Sequence, residues 1–307
     1  MTGRRGVATA RALAILAILW LAAAPAALAA APPVRVFISA DMEGIAGVVT
    51  GDQLGTAGFE YLRFREFMTN EVLAAIEGAR AAGATEFVVA DSHGNGESLL
   101  FEKFARDTLV VRAWPRPLAM MQGIDETFAA AMFIGYHSST TNPAGVRAHT
   151  MSSANIADVR LNGVSVPEAG LNAAIAGSFK VPVVLVTGDD AIGKEASGLI
   201  PGIEVAVVKW AYGFHSAKTM TPAAACDLIR EKARVALSRA REIRPWTVKT
   251  PVDLEIRFKN YRPAELLAYL PIVERVDAHA IRFRAKDILE ATRFVEFVIN
   301  YQPELAP

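Results

Sequence analysis

The chain has 307 residues, 52% of them hydrophobic and 21% charged, which is ample for a sizeable core in one large domain or two smaller ones. Its 32 basic and 32 acidic residues cancel, and no basic run or aromatic-interleaved basic patch is present, which argues against nucleic acid as a partner. The single cysteine, Cys226, excludes an intramolecular disulfide and makes thiolate ligation of a metal a minor theme; it reads as a small apolar residue buried in a helix.

Residues 1–29 read as a secretory signal peptide. Arg4, Arg5 and Arg11 form a basic start, Ala12 to Ala24 an apolar segment, and Ala27-Leu28-Ala29 a small-residue cleavage site. Pro25 breaks the apolar segment, which disfavours an uncleaved anchor. Arg4-Arg5 lacks the apolar residues that complete a twin-arginine signal. The expectation is an exported protein, periplasmic or secreted, beginning near Ala30 and keeping no membrane anchor.

The apolar stretch Val34–Ile38 then reads as a buried strand of a parallel sheet. It runs into Ser39-Ala40-Asp41-Met42-Glu43-Gly44. In extended chain Asp41 and Glu43 face the same side, at the carboxyl end of the strand. Open α/β sheets place ligands outside that end. Two neighbouring carboxylates repel unless a cation or a proton sits between them. They are either half of a metal site or a pair of capping or solvated acids, and the motif alone does not choose.

Phe59 to Ala82 reads as a helix, with Phe64, Phe67, Met68, Val72, Leu73 and Ile76 at helical spacing and Gly83 closing it. Strand Glu86–Ala90 ends in Asp91-Ser92-His93. A short strand, Val110–Ala113, precedes Trp114-Pro115-Arg116-Pro117. Strand Ala129–Tyr136 ends in His137, and a polar loop after it carries His149. Val159–Leu161 and Val164–Val166 form a hairpin around Asn162-Gly163. Pro167 opens a helix with Glu168 beside it. Strand Val181–Thr187, a helix from Ala191, strand Glu204–Trp210 and helix Pro222–Arg241 follow.

Strand–loop–helix repetition predicts an α/β fold, with a mostly parallel sheet and helices on both faces. Composition shifts near Ile243-Arg244-Pro245. Strand Val252–Phe258, helix Pro263–Leu270, strands Ile272–Val276 and Ala280–Arg284 and helix Lys286–Asn300 predict a small C-terminal α+β domain. The expected division is a catalytic, metal-binding α/β domain over 30–245 and the smaller domain over 246–307.

Asp41, Glu43, His93, His137 and Glu168 therefore sit at strand ends or a helix start. Imidazole and carboxylate are the ligand set of Zn²⁺ and related ions. Five such groups exceed what one tetrahedral zinc needs, and a bridging carboxylate between two ions would use them all. Two-metal sites polarise a carbonyl and generate hydroxide at neutral pH. Each residue also has a plainer reading. A histidine after an apolar strand is commonly a hydrogen-bonded structural group, and Glu168 suits a helix N-terminus. Asp91, Asp189 and Asp190 read as caps or as acceptors behind the ligands. His215 and His279 read as structural.

The ordered set Asp41-Met42-Glu43-Gly44, Asp91-Ser92-His93, Gly135-Tyr136-His137, Gly145-Val146 with His149 and Met151, Glu168 with Gly170-Leu171-Asn172, and Gly188-Asp189-Asp190 resembles the zinc-dependent D-aminopeptidase family. The likeness runs from about Val34 to Asn300. It implies that Asp41, Glu43, His93, His137 and Glu168 hold two divalent ions per chain, expected to be Zn²⁺, with Asp41 bridging them. It implies a catalytic role for His149, short peptides as substrates and a homo-oligomer, a decamer in the family. The signal peptide departs from an intracellular type member, and Trp210–His215 has no counterpart in the pattern. The resulting expectation is an exported metallo-aminopeptidase that uses metal-activated water on N-terminal, D-configured residues. The alternatives are a di-metal amidase acting on non-peptide or cyclic amides, and a non-catalytic exported peptide-binding protein.

Overall fold

A computed structural model describes residues 32–301; the signal-peptide reading of 1–29 lies outside the described residues. The first sheet uses β1 (Arg35–Ala40), β2 (Glu86–Asp91), β3 (Thr108–Val111), β4 (Phe128–Tyr136), β7 (Val183–Asp189), β8 (Glu204–Gly213) and β9 (Ser216–Thr219). Their order is β3-β2-β1-β4-β7-β8-β9, parallel throughout except for the antiparallel edge strand β9. β1, β2, β4 and β7 are buried almost end to end, as strands covered on both faces must be.

The second sheet is antiparallel, in the order β11-β12-β10-β5-β6. Its members are β5 (Ile156–Leu161), β6 (Val164–Ser165), β10 (Val252–Phe258), β11 (Val273–Arg275) and β12 (Ala280–Ala285). β10 buries every second residue, the alternation legible in Val-Asp-Leu-Glu-Ile-Arg-Phe. β10 is an interior strand and needs a ladder on both edges. One edge takes β12 and the other takes β5, from the hairpin around Asn162-Gly163. The boundary expected at 245/246 therefore does not separate the two sheets.

The helices are α1 (Tyr61–Ala81), α2 (Glu168–Ser178), α3 (Asp190–Leu199), α4 (Pro222–Ser238), α5 (Tyr261–Leu267) and α6 (Ile288–Asn300). α1 and α4 pack on each other and on the first sheet. α2 touches β4, β7, α3 and α6, and all of it but its last residue is buried. A helix enclosed on every side must be small and apolar all round, and Ala-Gly-Leu-Asn-Ala-Ala-Ile-Ala-Gly meets that demand. A Cβ on Gly177 would lie 1.9 Å from the Trp246 carbonyl oxygen. Pro167 is the cap before α2 rather than its first residue. Cys226 is half-buried against the core in α4.

The expected α/β class, with a mostly parallel sheet flanked by helices, is what the structure shows. One strand escaped the sequence. The strand expected to end at Trp210 continues to Gly213 and turns back as β9, whose Ser-Ala-Lys-Thr is polar and largely exposed. An edge strand without an apolar face leaves no periodicity to read.

The loop after β1 stays tied to β4. Asp41 N–H donates to Ile134 O at 2.8 Å and Gly44 N–H to Gly135 O at 2.7 Å. A Cβ on Gly44 would lie 1.9 Å from the Tyr136 carbonyl oxygen. Gly44→Ala is expected to cost about 3 kcal/mol, because the obstacle is backbone. Gly55→Ala, with nothing within 4 Å of its new carbon, should be near neutral. Thermal melts of the two variants check this; equal melting temperatures would show that the loop can move away from β4 freely.

Candidate metal centre

Six of the sequence-selected residues converge. Asp41 and Glu43 follow β1, His93 follows β2, His137 follows β4, Glu168 begins α2, and His149 arrives on the loop between β4 and β5. All but His149 are buried, and His149 is nearly so. They form two triplets, Asp41–Glu43–His93 and His137–His149–Glu168, and the ligand atoms within each lie within 4.8 Å of one another.

Asp41 joins the triplets. Its Oδ1 is 3.4 Å from His93 Nδ1, and its Oδ2 is 3.3 Å from His137 Nε2. His93 Nδ1 is 2.9 Å from Glu43 Oε2. His137 Nε2 is also 3.3 Å from Glu168 Oε2, and His149 Nε2 is 3.7 Å from Glu168 Oε1. The rings of His137 and His149 stack with centroids 4.0 Å apart.

Each imidazole is oriented by a backbone carbonyl on its outer nitrogen. His93 Nε2–H donates to Leu54 O at 2.7 Å, His137 Nδ1–H to Ser138 O at 3.1 Å and His149 Nδ1–H to Arg147 O at 2.8 Å. The other nitrogen of each ring is thus turned toward the carboxylates. Second partners of this kind fix ring and tautomer in metal sites. Asp41 Oδ2 and His137 Nε2 are both buried without a hydrogen-bond partner. Buried polar atoms are otherwise nearly always satisfied. Three carboxylates and three imidazoles, with no thiolate, form a donor set that fits Zn²⁺.

Further residues hold this arrangement. Lys209, fully buried in β8, donates to the carbonyls of Glu43, Ile45 at 3.2 Å and Val48 at 2.8 Å. Burial pulls its pKa down to about 8, against the pull of Asp189 and Glu71. Buried Glu71 accepts from Ala46 N–H at 2.8 Å, and burial lifts its pKa to about 7. Asp189 caps α3 through Ile192 N–H and accepts from Val146 N–H at 2.7 Å on the His149 loop. Glu195 accepts from Ser139 N–H, Ser139 Oγ–H and Asn142.

Asp91 and Asp189 thus serve as acceptors, Asp91 through Leu99 N–H at 2.6 Å. Lys209 and Glu195 were not singled out by sequence; the one available signal was a charge interrupting the apolar run of β8. Trp210–His215 closes the β8–β9 hairpin, where Phe214 O accepts from Arg147 N–H at 3.0 Å and the Phe214 ring lies under the Arg147 guanidinium at 4.8 Å. His215 and His279 join neither triplet. A cavity of about 350 Å³ opens onto the cluster, lined by Asp41, Glu43, His93, His149 and Glu168.

Burial opposes charge on His93, but Glu43 and Asp41 outweigh it and hold its pKa well above 6.5. His137 is raised in the same way by Glu168 and Asp41. Burial works against ionised Glu43 too, yet His93 holds it well below the ordinary carboxylate range. Asp41 goes the other way, raised by burial and by Glu43. The two protonated imidazoles thus balance the carboxylates as cations would. A raised histidine pKa stabilises the metal-free fold below about pH 6.5 and loses that contribution as pH climbs through the folded value. Ion binding demands the same nitrogens unprotonated. The melting-temperature gap between zinc-loaded and metal-stripped protein is therefore expected to widen from pH 6 to pH 8. Scanning calorimetry at both pH values checks it, and a gap that narrows would contradict the assignment.

The model of the M55 peptidase family, described as D-aminopeptidase, matches residues 34–297. The D-aminopeptidase of Bacillus subtilis (strain 168) is 36% identical over 258 residues, covering 84% of this chain and 93% of its own. The solved structure of the Zn-dependent D-aminopeptidase DppA from Bacillus subtilis, described as a self-compartmentalizing protease, superposes with a TM-score of 0.83 at 34% identity. It covers 88% of this chain and 99% of its own. The resemblance carried by the ordered motifs is thereby confirmed: the chain belongs to the M55 family of D-aminopeptidases.

Proposed function

We propose that the protein is an exported, dinuclear zinc aminopeptidase that removes D-residues from the N-termini of short peptides. The observation that carries the dinuclear reading is Asp41, whose two oxygens face two different buried triplets. Asp41, Glu43 and His93 would hold one ion, and Asp41, His137 and Glu168 the other. Bound there, the ions supply Lewis-acid polarisation of the scissile carbonyl and an activated water. The D-preference comes from the Bacillus matches in sequence and structure, each described as a D-aminopeptidase, and zinc dependence from the solved structure.

His149 is the substrate-facing imidazole. Its side chain is 13% exposed, against 1% for His137, and it lines the cavity while His137 lies behind it. With Nδ1–H given to Arg147 O, its Nε2 is the atom free to move a proton or hydrogen-bond a developing oxyanion. This reading favours an enzyme over a peptide-binding protein, and the relatives favour peptides over cyclic amides.

Metal analysis and assays on D- and L-aminoacyl peptides test these assignments together. Wild type should carry two ions per chain and release D-residues. Asp41→Ala should lose both ions. His149→Ala should keep both while turnover falls about a hundred- to ten-thousandfold. A His149→Ala protein that has lost an ion would make His149 a ligand, and release of L-residues alone would remove the D-preference.

Assembly and export form the last part of the proposal. The Bacillus DppA protease is self-compartmentalizing, and a closed homo-oligomer, decameric by resemblance, is the corresponding assembly for this chain. Export rests on the composition of residues 1–29. One preparation from an exporting host tests both, by N-terminal sequencing and light scattering. The expected result is an N-terminus near Ala30 on a large oligomer; an intact Met1 would sink export, and a monomer at micromolar concentration would sink the chamber.

A further inference from the structure

The cavity that holds the metal-binding residues is also lined by Trp114 and by Glu296, Ile299 and Asn300 of α6. Glu296 belongs to neither triplet, yet it is a carboxylate only 5% exposed on the wall of that cavity. Its Oε2 accepts two long hydrogen bonds, from Asn300 Nδ2 at 3.2 Å and from Arg116 N–H at 3.4 Å. Its Oε1 has no partner. Among the described residues no basic side chain lies within ion-pair distance of it. The nearest cation, Arg116, is mostly turned elsewhere: Nη2 donates to Asp91 O at 2.7 Å, Nε donates to Ala113 O, and the guanidinium stacks on Trp114 at 4.0 Å, while Nη1 is buried without a partner and the guanidinium acts on Glu296 only from beyond ion-pair distance.

A buried carboxylate without a cationic partner is costly. It persists where the group takes up a proton or where something else supplies the charge. Burial lifts the Glu296 pKa to about 7, against both the Arg116 N–H bond and the Arg116 charge, so the cation nearby does not offset the cost of burial.

We infer that Glu296 receives an ammonium group of the bound peptide, a substrate-binding role that rests on the proposed aminopeptidase activity. Every peptide with a free N-terminus brings an α-ammonium, and a basic side chain would bring the same chemistry. Asp41, Glu43 and Glu168 are committed to the metal-binding triplets, so Glu296 is the carboxylate on the cavity wall left for that cation. A site of this kind would distinguish free from blocked N-termini, which is what separates an aminopeptidase from a general amidase.

Glu296→Gln preserves shape and both hydrogen bonds while removing the charge. Calorimetry on metal-loaded wild type and E296Q would use two probes: D-alaninol, an α-amine with no bond to cleave, and n-butylamine, a stand-in for a basic side chain. D-alaninol is expected to bind about 10- to 100-fold more weakly to E296Q, with ion content unchanged and the melting temperature equal or higher. For peptides that are turned over, KM should rise by a similar factor while kcat holds. A loss confined to n-butylamine would assign Glu296 to a basic side chain instead of the N-terminus. Equal affinities of both amines for the two proteins would overturn the inference. If E296Q does not fold, equal binding of D-alaninol and 1,2-propanediol to wild type would overturn it as well. Wild type that binds D-alaninol more tightly than E296Q does, yet cleaves no peptide, would defeat the proposed function while leaving Glu296 as an ammonium-binding carboxylate.

Discussion

Everything at this site depends on burying three carboxylates together. Asp41, Glu43 and Glu168 are each almost wholly enclosed, and all three approach the histidines at 2.9 to 3.7 Å. Such a group of anions is unstable in a low-dielectric interior unless positive charge is brought to it. Protons on His93 and His137 meet the need in one state, and divalent ions would meet it in another. Protons and ions would compete for the same nitrogens, which is what distinguishes the proposed metal site from a salt-bridge network.

The fold meets that constraint with backbone. Parallel strands β1, β2 and β4 are neighbours, so their carboxyl ends deliver Asp41, Glu43, His93 and His137 to one edge of the sheet. α2 begins at the same edge and adds Glu168, placing a carboxylate at a helix N-terminus where the dipole favours it. Lys209 then gathers three carbonyls of the loop after β1 beneath the site. Its three donors go to backbone carbonyls, so it braces the loop, while its charge acts on Glu43 and Asp41 without a direct hydrogen bond to either. The β8–β9 hairpin does similar work for the His149 loop through Phe214 and Arg147.

The segment leading into β5 and the helix α6 close the cavity from another side. Because β5 pairs with β10, the segment that follows the His149 loop is built into the same sheet as the C-terminal strands. α6 packs on β10, β12 and α2, which brings Glu296 and Asn300 to the wall of the metal cavity. Membership of the M55 family is consistent with the candidate metal-binding residues. The polar wall from α6 is where selection among substrates has its physical means.

Much of this was legible in the chain itself. Apolar runs ending in Asp41, His93 and His137 revealed both the strands and the edge they share, because buried parallel strands are short and apolar and ligands gather at their carboxyl ends. The donor types, free of cysteine, already pointed to Zn²⁺ or a related divalent ion, and the order of motifs to the family. Other features needed the folded molecule. Asp41 is seen to serve both triplets only once β1, β2 and β4 are laid side by side, and His149 meets His137 only through a loop whose path no periodicity encodes. β9 is polar, Lys209 is one charge in an apolar strand, and Glu296 is an ordinary helix residue by sequence. Local pattern determined which residues carry chemistry; long-range pairing alone decided which of them meet, because distances between strand ends are set by sheet order and not by spacing along the chain.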